Sequence, residues 1–185
     1  IADPNDSATS RYVEIHNSGG ASVTLTDYYL IRWTNANAAA SSSIDLSSYT
    51  LASGGFLIFA VEKTTFEANF SVANSATVVD AANSGPADSN GDDNIAIVTQ
   101  ASGQTFAVGT ASTYDIVDMF GVVGEDGNAS GGTWHEFEDG RAERVSTATS
   151  ASGATASSSD WNCFSDSETW LAGVDQNAGI SLIST

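Results

Sequence analysis

The residues best suited to chemistry in this chain are oxygen-bearing side chains at close spacing. Asp88-Ser89-Asn90-Gly91-Asp92-Asp93 sets carboxylate and amide oxygens at alternate positions, as loops that wrap Ca²⁺ do. Asp3, Asn5 and Asp6 form a second oxygen-rich loop, and Asp126-Gly127-Asn128 a third. The first is not an EF-hand: its glycine falls at the wrong place, and Thr99 stands where the bidentate glutamate belongs. Ca²⁺ is the cofactor these loops point to, with Asp88, Asn90, Asp92, Asp93, Asp3, Asn5 and Asp6 as ligands. The competing reading of each loop is a solvated acidic turn. One cysteine and two histidines are too few for a zinc site.

Hydrolytic chemistry has less to build on. His16 and His135 are the histidine bases available, and Glu136, Glu138 and Asp139 cluster beside the second, as acids do freely in a chain with 23 of them. Cys163, between Trp161-Asn162 and Phe164, reads as a buried structural thiol. There is no Gly-x-Ser-x-Gly elbow, no His-Glu-x-x-His and no phosphate-cradling glycine loop. The chain therefore reads as non-catalytic. Trp33, Trp134, Trp161 and Trp170, with Tyr28 and Tyr29, would stack on sugar rings if exposed and form a core if not.

The elements that position these groups come from 185 residues, the size of one domain spanning 1–185. Twenty-three acidic residues against 5 basic give a net charge of −18, which excludes binding to nucleic-acid phosphates and disfavours anionic membranes. No apolar run approaches the ~18 residues of a membrane span. Hydrophobic residues at 41% suffice for a core. Charged residues at 15% fall below the roughly 25% of an ordinary soluble domain. A surface of Ser, Thr, Asn, Ala, Gly and scattered acids suits an extracellular or cell-surface setting. A single cysteine permits no intrachain disulfide. Glycosylation sequons begin at Asn5, Asn69 and Asn128.

Apolar residues recur with period two. The pattern predicts strands at Tyr12–Ile15, Val23–Trp33, Thr77–Asp80, Asn94–Thr99, Thr105–Val108, Tyr114–Phe120 and Ile180–Ile183. Phe56–Val61 is a continuous apolar run, as in a strand covered on both faces. Gly19-Gly20, Gly54-Gly55, Asn90-Gly91 and Asp139-Gly140 mark turns. Glu62–Phe70 predicts one or two helical turns, with Phe66 and Phe70 on one side. Two low-complexity stretches, 36–43 and 146–159, read as mobile surface loops. The whole indicates an all-β antiparallel sandwich.

Several blocks together resemble the lamin-tail domain, an immunoglobulin-like β-sandwich found in nuclear lamins and in secreted bacterial and algal proteins. They are Ile1-Ala2-Asp3-Pro4-Asn5, Arg11-Tyr12-Val13-Glu14-Ile15-His16-Asn17, Val23-Thr24-Leu25-Thr26-Asp27-Tyr28-Tyr29-Leu30 and Leu51-Ala52-Ser53-Gly54-Gly55-Phe56-Leu57-Ile58. Gly91-Asp92-Asp93-Asn94-Ile95-Ala96-Ile97, Tyr114-Asp115-Ile116-Val117-Asp118-Met119-Phe120-Gly121 and Glu138-Asp139-Gly140-Arg141-Ala142-Glu143-Arg144 complete the set. The resemblance implies an immunoglobulin-like fold, a recognition or scaffolding role and no catalytic residues. It does not bring nuclear function, since lamin tails meet DNA through basic surfaces. Family members carry an apolar strand before the Asp-Pro segment, and here the chain starts at Ile1. A sandwich short of that edge strand would leave unpaired backbone beside an apolar groove.

Within the first block of the fold, Val13 and Ile15 face one way and Glu14 the other, with Arg11 or Arg32 available to pair with Glu14. Asn17, ahead of Ser18-Gly19-Gly20, is placed to bond its own backbone and begin a turn. At the far end, 178–185 alternates as a free strand would. Two functions follow. The first is an extracellular structural or adhesive protein whose partner is itself, one copy's Ile180, Leu182 and Ile183 adding to a neighbour's sheet to build a filament. The second is a Ca²⁺-dependent module of a larger secreted enzyme that binds extracellular glycan.

Overall fold

The computed structural model describes residues 1–3, 8–70, 76–83, 85–128 and 133–164. The chain is an all-β sandwich with one short helix. One sheet contains β1 (Tyr12–His16), β6 (Phe56–Ala60) and β7 (Ala76–Asp80), with β6 at the centre. Residues 1–3 join this sheet to a hairpin of β10 (Arg141–Arg144) and β11 (Trp161–Phe164), because Ala2 bridges Tyr12 on one side and Arg141 on the other. The opposing sheet runs β4 (Ser42–Asp45), β3 (Tyr28–Trp33), β8 (Asn94–Gln100), β9 (Tyr114–Phe120). A small ribbon of β2 (Val23–Thr24) and β5 (Thr50–Leu51) closes one end.

Alternation decides what goes between the sheets. Val13 and Ile15 of β1 and Leu57 and Phe59 of β6 face Leu30 and Ile95, with Leu25, Leu46 and Leu51 filling the end. The other face of the first sheet carries Tyr12, Ile58 and Ala60. It is covered by α1 (Lys63–Asn69), whose Phe66 meets Tyr12 edge to face at 5.0 Å. The outer face of the second sheet carries Ile31, Trp33, Ala96, Val98 and Met119, covered by Phe106, Val108 and Ala156. Cover on both sides explains why all five residues of β6 are buried, as its continuous apolar run predicts.

Four expectations are corrected. The sandwich is not wholly antiparallel: β6 and β7 run parallel, because α1 carries the chain over the sheet between them. Thr105–Val108 forms no strand. Phe106 instead stacks on Tyr29 at 3.7 Å, and the Thr113 hydroxyl bonds both the N–H and the C=O of Ala107. The alternation there reflects a plug over a sheet rather than a ladder. The 23–33 stretch breaks into β2 and β3 at a turn in which Asp27 takes φ 63°. Of the 36–43 loop, Ser42 and Ser43 belong to β4.

Sheet edges are occupied in two places. The Lys63 ammonium donates to the Val78 carbonyl of β7 at 3.0 Å. Along β9, Gly153 N–H donates to Val117 O, and Ser152 bonds Asp118 through both its N–H and its hydroxyl at 2.9 Å. The low-complexity stretch is thus laid along a strand. Asn17 begins its turn as expected, accepting from Gly19 N–H and donating to Leu51 and Ala52 carbonyls.

Candidate functional site

The acidic segment before β8 is pinned by arginine. Arg11 donates from Nε to Asp3 Oδ1 at 2.6 Å and from Nη1 to Asp88 Oδ1 at 3.0 Å. Arg32 donates to the Asp88 carbonyl oxygen and lies 3.3 Å from Asp93 Oδ2. Both arginines offered by the sequence to Glu14 are engaged here instead. Asp93 Oδ1 also accepts from Asn35 N–H at 3.0 Å, and Asp92 Oδ2 accepts from the side chains of Asn35 and Asn90 at 2.7 and 3.1 Å. Burial raises the Asp93 carboxyl above its ordinary range, against the pull of Arg32 and the Asn35 N–H; burial raises Asp3 likewise, against Arg11.

The sequence thus brings Asp3, Asp88, Asn90, Asp92 and Asp93 together, around two guanidinium groups. Arg11 and Arg32 hold oxygens of Asp3, Asp88 and Asp93, whereas Asp92 is held through Oδ2 by two amides and keeps its buried Oδ1 without a protein partner. Among the described residues no group of three or more His, Cys, Asp or Glu is disposed to hold a metal. Asn5 and Asp6 lie outside the described residues. Gly91 lets the segment close: at φ 101° its Cα passes so near the next strap that a Cβ would lie 2.2 Å from Glu138 N. Phe137 N–H then bonds Gly91 O and Gly127 N–H bonds Asp92 O. In the third loop Asp126 Oδ1 accepts from Asn128 N–H at 3.1 Å, a turn closed on itself.

His135 is fully buried, between Phe120 and Trp134, with Nε2 at 3.5 Å from Glu125 Oε2. Burial lowers its affinity for a proton, and Glu125 opposes this in part. Cys163 is half-buried rather than buried, packed beside Phe120, Phe137 and Trp161. Trp33 is buried, and Trp134 and Trp161 pack edge-on against Phe120 at 5.8 and 5.0 Å, so these rings serve the core. Trp170 lies outside the described residues. Asn69 and Asn128 are exposed; their amides donate to Ser10 Oγ and to Glu138 Oε2 at 3.3 and 2.9 Å. Asn5, Ile180, Leu182 and Ile183 lie outside the described residues.

The feature the sequence pattern did not locate is a gap inside the first sheet. Ala2 and Tyr12 exchange backbone bonds of 3.0 and 3.2 Å, and Ile1 and Ala142 do the same at 3.2 and 3.0 Å. One residue further, β1 continues through Glu14, Ile15 and His16, and β10 through Glu143 and Arg144. Among the described residues no strand stands between them. The alternation of the ladder turns the backbone N–H and C=O of His16 and Arg144 into this gap. The cavity there holds about 340 Å³, with Ile15, Leu25, Leu51, Ile97 and Trp161 on its floor. The groove is interior, flanked by a strand on each side, and continues the line of residues 1–3.

Its polarity follows from the same alternation. Ala142 points inward toward Phe120, so Arg141 and Glu143 point outward, where Arg141 Nε meets Glu143 Oε1 at 2.6 Å and the guanidinium lies over Phe164. Glu14 shares the outward side with Tyr12. Both acids line the cavity, and burial first, then the Glu14 and Glu143 carboxylates, push the Tyr12 hydroxyl upward. On the inner side Arg144 reaches β9, donating from Nη1 to both oxygens of Asp118 at 2.7 and 2.8 Å. Ser18 Oγ donates to Thr149 O at 3.1 Å and closes the far end. The β8–β9 ladder shifts register between Ile97 and Val98, and this bulge bends β9 where the two sheets part. Arg144, Glu143 and Asp118 escaped the sequence reading because Arg141-Ala142-Glu143-Arg144 has one apolar residue and carries no strand signal.

The arrangement can bind extended backbone: two strand walls, an apolar floor and a charged lip. Compared with known proteins, the chain matches no family model, no curated protein and no solved structure.

Proposed function

We propose that this protein is an extracellular, non-catalytic structural or adhesive subunit that joins others by taking a β-strand into the gap between β1 and β10. The observation that carries the reading is the groove between β1 and β10, where His16 and Arg144 turn backbone groups toward an apolar floor in line with residues 1–3. Filling such a slot gives main-chain hydrogen bonds on both sides and buries apolar area at about 25 cal/mol per Å². The acidic, lysine-poor surface supports an extracellular setting, and the resemblance to lamin-tail domains supports a scaffolding role.

Ile97→Lys tests it by placing a charge on the floor. Wild type is expected to scatter light as assemblies well above 19.0 kDa, and the variant as a folded monomer. A variant that assembles like wild type would overturn the reading, as would a wild type that stays monomeric.

A further inference from the structure

We draw no further inference here: the strongest candidate, the acidic side-chain cluster ahead of β8 with the buried and unpartnered Oδ1 of Asp92, belongs to the site already described, and among the described residues no group of three or more His, Cys, Asp or Glu is disposed to hold a metal there.

Discussion

Arg144 on β10 crosses the space between the sheets and grips both carboxylate oxygens of Asp118 on β9, at 2.7 and 2.8 Å, while its second nitrogen holds Ser150 O at 2.9 Å. One side chain therefore ties the inner wall of the slot to the opposite sheet and to the strap along β9. The pair is partly buried, with Asp118 27% exposed and Arg144 15%. Arg144→Met should cost about 2 kcal/mol, the scale of charge-assisted bonds lost from a half-buried site. Urea unfolding measures this, and a loss under about 0.5 kcal/mol would show the pair to be surface decoration.

The Arg32–Asp93 contact lies deeper, at 11% and 1% exposure. Arg32→Met strands the Asp93 charge, and a loss of about 3–5 kcal/mol is expected. Because Arg11 and Arg32 already hold oxygens of Asp3, Asp88 and Asp93, removal of Ca²⁺ by chelator should leave the melting temperature of wild type unchanged. A melting temperature that drops in chelator and recovers with Ca²⁺ would contradict the arginine-centred account of this segment.

His135 has its proton affinity lowered from the ordinary 6.5 by burial. Below pH 6.5 the unfolded chain then binds a proton that the folded chain refuses, so stability falls as pH drops through that window and is full above it. Asp3 and Asp93, raised by burial, act in the opposite sense nearer the carboxylate range: the folded state takes their protons first, and their effect on stability declines as pH rises. The difference between wild type and His135→Phe isolates the histidine. Unfolding midpoints from about pH 5 to about pH 7 should slope less in the variant, and equal slopes would refute the assignment.

Gly91→Ala should be among the most damaging single substitutions. The φ of 101° strains any side chain, and the added carbon would collide with backbone of Glu138, which cannot rotate away. A cost of at least about 3 kcal/mol is expected in thermal or urea unfolding. A near-neutral result would mean that the 137–138 strap shifts freely.

What the sequence made legible was whatever depends on local alternation. β1, β3, β8 and β9 follow from period two, β6 from its unbroken apolar run, and α1 from Phe66 and Phe70. Thr105–Val108 misled because a plug over a sheet alternates as a strand does. β11 was read for its thiol and aromatics, and β10 offered one apolar residue in four. The pairing of Arg11 with Asp88 spans 77 residues, so nothing in the spacing of the oxygen-rich loop announced its arginines. The groove was not legible: its position between β1 and β10 depends on Ala2 bridging both, which no spacing encodes.

Every lysine and arginine of the chain is paired within it. Arg11, Arg32, Lys63, Arg141 and Arg144 are the full complement of 5, and each stands in an ion pair with a carboxylate of its own chain. No lysine or arginine is left over to meet a neighbour, so in the proposed assembly two copies would approach as bodies of net charge −18 each. The Debye length shrinks from about 10 Å at 0.1 M to about 3 Å at 1 M, which would place the threshold for the proposed association under the control of ionic strength. A medium of seawater salinity would let such surfaces touch, whereas dilution into fresh water would drive them apart.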